Sequence, residues 1–297
     1  MAALTTVPAA AASPKAPRGH VRRITGGLAA GYVLIGIYGL TLVLPLYWLF
    51  ISAFRDRYEL FSSPLTPTFS KGFSNFVNVW EQLDAGRALL NSAYITLAAL
   101  ALTLAVAVPA SYGLARSRGK VSAVVERIYA MGFLIPGFAA LVPTLLLAIF
   151  LNMYHTREFI ILYLSASAQP LAVILLTQFM RTVPPELEEA ALIDGAGRFR
   201  IMRSIYLPLV MPGIATISIL QFNAYWNEYL YTLIIAGVQP AKRTIQVALP
   251  TLVSHLGNTD YAWVCAGTII SILPVFILYI VLNRRMEDAL VQGALKG

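Results

Sequence analysis

The chain has 297 residues, of which 58% are hydrophobic and only 12% charged, and its mean hydropathy is +0.70. A water-soluble domain of this length needs far more charge to cover its surface, so the composition excludes one and points to a membrane protein. The net charge of +8 comes from basic residues set between apolar runs, with no continuous basic face, which argues against nucleic acid and for anionic lipid headgroups as its counterpart.

In chain order, residues 1–26 are rich in Ala and Pro and poor in large apolar residues, and are expected to form a disordered tail. The apolar run that follows, 27–54, is too long for a cleavable signal sequence and suits a permanent anchor. A span needs about 20 apolar residues. Residues 27–54, 88–115, 128–154, 159–180 and 261–283 meet that length without a charged residue. A further run, 204–240, is interrupted only by Glu228 and is read as a helix over 209–235 followed by a short outer segment. Pro45, Pro109, Pro136, Pro143, Pro170 and Pro274 fall inside these runs and are expected mostly as kinks, which membrane helices tolerate when neighbours re-satisfy the freed backbone.

The prediction is an all-α, polytopic membrane protein with six transmembrane helices over residues 27–283. Fifteen of the 22 Lys and Arg residues fall on one set of alternate connections and the two ends. By the excess of Lys and Arg on cytoplasmic segments, this places both the 1–26 tail and the 284–297 tail in the cytoplasm. The first outer loop, with Arg55, Arg57, Lys71 and Arg87, is as basic as an inner one and is the weak point of that assignment.

The longest inner connection, 182–207, is read as two short helices joined at a glycine. Pro184 and Pro185 suit a helix entrance, Glu186, Glu188 and Glu189 favour the positive end of its dipole, and Gly195 permits the stop, with an inferred positive φ. Ala190 and Ala191 are small enough for a partner to approach the backbone, so the surface suits docking. Within the fifth span, Gln221, Asn223, Tyr225, Trp226, Asn227 and Glu228 bring polar and aromatic groups into an otherwise apolar run. They are read either as lining for a pathway through the membrane or as an interfacial belt.

The spacing Glu189-Ala190-Ala191, three residues, Gly195, nine residues, Ile205-x-Leu207-Pro208 resembles the signature loop of permeases of ATP-binding-cassette importers. Other stretches resemble the maltose-type, MalG-like carbohydrate branch: Asn91-Ser92, the run from Pro109 to Arg116, Gln178 to Arg181, Asp194-Gly195-Ala196, Trp226-Asn227-Glu228, and the terminal Gly293 to Gly297. The resemblance implies the type I importer permease fold. It also implies an ATPase-coupling set of Glu189, Ala190, Ala191, Asp194, Gly195, Ile205, Leu207 and Pro208, and a contact of Gly293, Lys296 and Gly297 with the ATPase dimer. That tail is shorter than the family usually has. The partners implied are a second related permease, two nucleotide-binding ATPase subunits that hold ATP and Mg, an extracytoplasmic solute-binding protein and a sugar, in a bacterial inner membrane. A non-sugar solute such as a glycerol phosphodiester is the alternative cargo.

No chemistry of the chain's own is found. Gly119-Lys120 lacks the upstream glycine and following hydroxyl of a phosphate-binding loop, and His20, His155 and His255 stand apart from one another, so neither ATP nor a metal is expected here. Cys265 is alone and lies in an apolar run, so no intrachain disulfide is possible. An ion-coupled secondary transporter is the rival class. Such folds bury ionisable groups at mid-membrane, and only Glu228 could serve.

Overall fold

The structure is a computed structural model that describes residues 26–117, 119–237, 239–253 and 259–294; for 26–30 and 281–294 it describes the backbone alone. Every regular element among the described residues is helical, and none is a strand. Most of the 1–26 tail, His20, His255, Lys296 and Gly297 lie outside them.

The chain divides into two compact units, residues 1–47 and 48–297. Of the first, the structure describes the helix α1, Gly26–Ser52, up to Tyr47. It is apolar around its whole circumference, with Tyr32, Leu34, Ile35, Tyr38 and Leu42 all exposed. Only lipid or another protein can cover such a surface.

The second unit begins with the last turn of α1. A loop then carries α2, Glu59–Ser62, and α3, Ser74–Gln82, into the long helix α4, Ala85–Arg116. There follow α5, Lys120–Gly132; a 3-10 turn, Gly137–Ala140; α6, Leu141–Phe150; and α7, Arg157–Arg181. A short hairpin comes next: α8, Pro185–Ile193; α9, Arg198–Ile201; a π-helical turn, Met202–Tyr206; and α10, Leu207–Leu209. After it, α11 covers Met211–Trp226, a second π-helical turn Thr232–Ala236, and α12 Ile245–Ala248. A 3-10 turn, Leu249–Leu252, precedes α13, Tyr261–Ala294. The backbone of Gly293 is therefore helical.

Four helices are each long and apolar enough to cross a bilayer: Gly31–Ser52, Ala85–Arg116, Arg157–Arg181 and Tyr261–Ile280. Two further helix pairs are long and apolar enough only when taken together, and each is bent at its break, making six crossings if each pair is one span. Lys120–Gly132 and Gly137–Phe150 meet at 92°, and Arg198–Leu209 and Met211–Trp226 meet at 75°. The third predicted span, 128–154, is therefore not one helix. Pro136 is extended (φ −63°, ψ 122°), has no N–H to give, and disfavours helix in the residue before it, so the chain turns there. The fifth predicted span, 209–235, also departs from prediction. Its helix stops at Trp226, and helical backbone resumes only at Leu230, leading into the turn Thr232–Ala236. By contrast, Pro109, Pro170 and Pro274 lie inside unbroken helices.

The centre is the parallel pair α4 and α7, which meet from Asn91 and Arg157 at one end to Arg116 and Val183 at the other, and against which α11 lies. Two glycines allow close approach. A Cβ at Gly132 would sit 2.6 Å from Pro170 of α7, and one at Gly213 would sit 2.5 Å from the Phe179 ring, both inside van der Waals contact. With 32 residues, α4 runs about 48 Å from one end of this unit to the other.

Near the α4 N-terminus, basic residues are built into the structure. Arg55, fully buried, donates to Thr68 Oγ1, to the carbonyls of Pro64, Glu59 and Ser63, and to Ser63 Oγ. Hydrogen bonds from Ser70 and then Thr68 hold the Glu59 carboxyl below its usual range. Asn91 donates to the carbonyls of Ala241 and Arg243 and accepts from Arg157, while Ser92 Oγ accepts from the Ile245 N–H. Arg243 donates to the Leu83 carbonyl, and Lys242 to that of His155. The basic excess of the loops here is thus structural, and Asn91-Ser92 is the socket for residues 241–245.

Candidate coupling and translocation site

The connection after α7 folds as the predicted pair of short helices joined at a glycine. Pro185 occupies the first turn of α8, where a missing N–H costs nothing, and Glu186 and Glu188 lie there too. At its other end the Gly195 N–H donates to the Leu192 carbonyl (3.0 Å) and the Ala196 N–H to that of Ala191 (2.9 Å). This is the Schellman pattern, which needs a left-handed residue at the position Gly195 occupies, and its φ is +78°. The four-residue spacing from Ala191 to Gly195 is therefore the geometry of a helix stop. Ala191 and Ala196 both rest, partly buried, on the core around Tyr206 and Met180.

Glu189, Ala190, Asp194, Gly195 and Pro208 are exposed, while Ala191, Ile205 and Leu207 are half-buried against that core. Beside them Leu192 and Ile193 also stand exposed, Ile193 at 86%. The expected coupling set is thus brought to one hairpin, with part of it facing outward and part securing the base.

The residue that fixes this hairpin is one that sequence reasoning used only for its charge. Glu188 accepts hydrogen bonds from Tyr112 (3.1 Å) and Tyr206 (2.9 Å), and its Oε2 lies 3.0 Å from Nε of Arg116. That N–H is not aimed at the carboxylate, so the contact is an ion pair rather than a hydrogen bond. Arg116 also donates to the Val183 carbonyl (2.7 Å) and lies over the Tyr206 ring at 4.8 Å, and Tyr112 meets Tyr206 edge-on. A few paces away, Arg181 pairs with Glu126 of α5. The only sequence signal was Tyr112 and Arg116 within the stretch closing the second span.

The six residues 221–228 separate into two sets. Gln221, Tyr225 and Trp226 are buried. The Tyr225 hydroxyl lies 2.7 Å from Thr103 Oγ1, and Trp226 donates to the Ser271 carbonyl (3.1 Å) and stacks on Phe222. These three hold α11 in place. Asn223 and Asn227 are exposed, and Asn227 donates to Asn223 Oδ1 and accepts from Gln246. Glu228 is half-buried and accepts from the Tyr231 N–H (2.7 Å), restarting the backbone after the break. The break is tied across to the other broken span, since the Tyr231 hydroxyl donates to the Gly137 carbonyl and its ring stacks on Tyr163. Of the tail set, the Lys296 and Gly297 positions lie outside the described residues, and only the Gly293 backbone is seen. Among the described residues no three His, Cys, Asp or Glu side chains gather as a metal site.

Comparison with known proteins agrees with this geometry. The diacetylchitobiose uptake system permease protein NgcG of Streptomyces coelicolor is 28% identical over 90% of this chain and 89% of its own length. The melibiose/raffinose/stachyose import permease protein MelC of Bacillus subtilis is 30% identical over 86% of this chain and 91% of its own length. A bacterial ABC transporter involved in the import of the acidic polysaccharide alginate has a chain that superposes with a TM-score of 0.77 at 24% identity, covering 91% of this chain and 99% of its own. Residues 107–290, which include the hairpin and both bent spans, match the family described as binding-protein-dependent transport system inner membrane component. With that match over more than half its length, the chain belongs to this family and is an inner-membrane permease component of a binding-protein-dependent transporter.

Proposed function

We propose that this chain is one of two related permeases of an ATP-driven importer, which passes an oligosaccharide released by a solute-binding protein across the membrane. The named uptake systems of its relatives support the choice of cargo. The observation that carries the coupling role is the hairpin itself. Its outward face is small and apolar at Ala190, Leu192 and Ile193, while its base is bonded to α4 through Glu188. Force applied to that face by an ATPase is therefore delivered to α4, the 32-residue helix at the centre of the bundle.

In this reading two ATPase subunits hold ATP and Mg, and both ends of this chain lie on their side of the membrane. Closure of the ATPase dimer moves α8, and the helices attached to it shift between inward-open and outward-open arrangements, a two-state equilibrium biased by ATP. Asn223, Asn227 and Gln246 supply amide groups that can exchange hydrogen bonds with sugar hydroxyls. Tyr225 and Trp226 position them.

The test replaces Ala190 with Asp and Gly195 with Val in the assembled transporter, reading membrane abundance, ATPase co-purification and uptake of a panel of di- and trisaccharides. A charge buried unpaired at a docked surface costs several kcal/mol. The expected outcome is normal abundance with ATPase and uptake both lost. Normal co-purification and uptake in both variants would overturn the coupling assignment.

A further inference from the structure

An apolar groove of about 790 Å³ runs along the outside of the helical unit between α4 and the segment from α9 to α11. One wall is Ala101, Ala105 and Pro109, spaced one turn apart on α4, and Met211 and Ile214 line the other. It extends from Ala101, the midpoint of α4, to Tyr112 near its end. At 1.5 Å per residue that is about 16 Å, the depth of one leaflet of a hydrocarbon core about 30 Å thick. At the Tyr112 end, and not at the other, stand two guanidinium groups, Arg198 and Arg203, both exposed. Neither has an ion-pair partner among the described residues. The nearby Glu188 is already engaged by Arg116, Tyr112 and Tyr206.

We propose that this groove is a binding site for an anionic phospholipid of the leaflet at the Arg116 end, with an acyl chain along α4 and the phosphate held by Arg198 and Arg203. The length of the groove matches one acyl chain, its wall is apolar where the chain lies, and its unpaired positive charge sits where a headgroup must be. A soluble phosphate would use the arginines alone and leave the apolar wall exposed. Because the two arginines belong to the hairpin and the wall to α4, a bound lipid bridges the same two elements that Glu188 joins.

The full chain, purified in mild detergent, is titrated with phosphatidylglycerol and separately with phosphatidylcholine, and bound lipid is counted by native mass spectrometry. Phosphatidylglycerol is expected to be retained preferentially. In the double variant R198Q/R203Q its affinity is expected to fall roughly 25-fold, about fivefold for each basic residue facing an anionic headgroup, with phosphatidylcholine unaffected. Ala105→Trp, which fills the groove and leaves both arginines in place, should also abolish retention. Arg200→Gln, on the same short helix but outside the groove, should not change it. Equal retention of the two lipids, an unchanged double variant, or the same loss in Arg200→Gln would overturn the site. So would a Cys introduced at Ala105 that cross-links to the second permease in the assembled transporter, because the groove would then hold protein.

Discussion

The two ends of α4 use charge in opposite ways. At the end beginning with Ala85, arginines are spent inside the fold: Arg55 is wrapped by loop carbonyls, Arg243 ties residues 241–245 to Leu83, and Arg157 meets Asn91. At the Arg116 end one half-buried cluster around Glu188 secures the base of a hairpin on which Arg198, Arg200 and Arg203 are exposed. A buried guanidinium saturated by hydrogen bonds makes a loop rigid, because any movement leaves it and its acceptors unsatisfied in a poorly solvated place. An outward-facing apolar surface whose attachments all lie at its base can move as a body. The first end is constructed as a fixed frame, the second as a lever.

The contrast is tested most severely at Arg55. Arg55→Met removes the cation and strands several carbonyls, and is expected to cost roughly 3 to 5 kcal/mol, as breaking other buried charged contacts does. Membrane abundance and the detergent-phase unfolding midpoint should both fall. A variant as abundant and as thermally stable as the parent would show that the frame does not depend on this residue.

Glu188→Ala acts on the lever. It leaves the Tyr112 and Tyr206 hydroxyls without their acceptor and Arg116 without its counter-ion, at about 2 to 3 kcal/mol. Here the damage should stay local. Amide hydrogen exchange is expected to quicken over residues 185–209 and to be unchanged over 85–100, and exchange that rises equally in both would erase the distinction between frame and lever.

The smallest effect is the most specific. A Cβ at Gly195 meets nothing within 4 Å, so any cost of substitution there is conformational and not steric. Gly195→Ala should destabilise α8 by about 1 to 2 kcal/mol through its left-handed backbone, and Gly195→Asn by less, since Asn visits that region more readily. Ranked by exchange rate at residues 188–193, the order Gly, Asn, Ala from slowest to fastest is expected. If Ala exchanges as slowly as Gly, the helix stop is not what sets the hairpin.

Much of this was legible beforehand for identifiable reasons. The Gly195 turn was readable because a helix stop is local: its hydrogen bonds span five residues, and its residue preference is steric. The apolar runs were readable because a bilayer imposes length directly on sequence. The break at Pro136 was misjudged as one of several kinks, although Pro109, Pro170 and Pro274 carry the same residue through continuous helices. Proline weakens a helix, but whether the chain bends sharply depends on what packs there, and Gly132 seated on Pro170 while Gly137 accepts from Tyr231 is a tertiary arrangement. The cluster 221–228 looked uniform in sequence and was not, because the rotation of α11 puts Tyr225 and Trp226 inward and Asn223 and Asn227 outward.

By itself, then, the sequence determined that the chain lives in a membrane, where its four unbroken spans fall to within a few residues, and that the 182–207 connection is a helical pair stopped at Gly195. These follow from solvent and from short-range backbone sterics, which act on neighbours along the chain. Only the tertiary structure decided which spans are broken, which polar residues of α11 remain free, and that Glu188 rather than Glu189 anchors the hairpin. Those outcomes turn on partners far away in sequence: Tyr112 is 76 residues from Glu188 and Gly137 is 94 from Tyr231. Hydrogen bonds across such separations leave no periodicity or composition for a linear reading to detect.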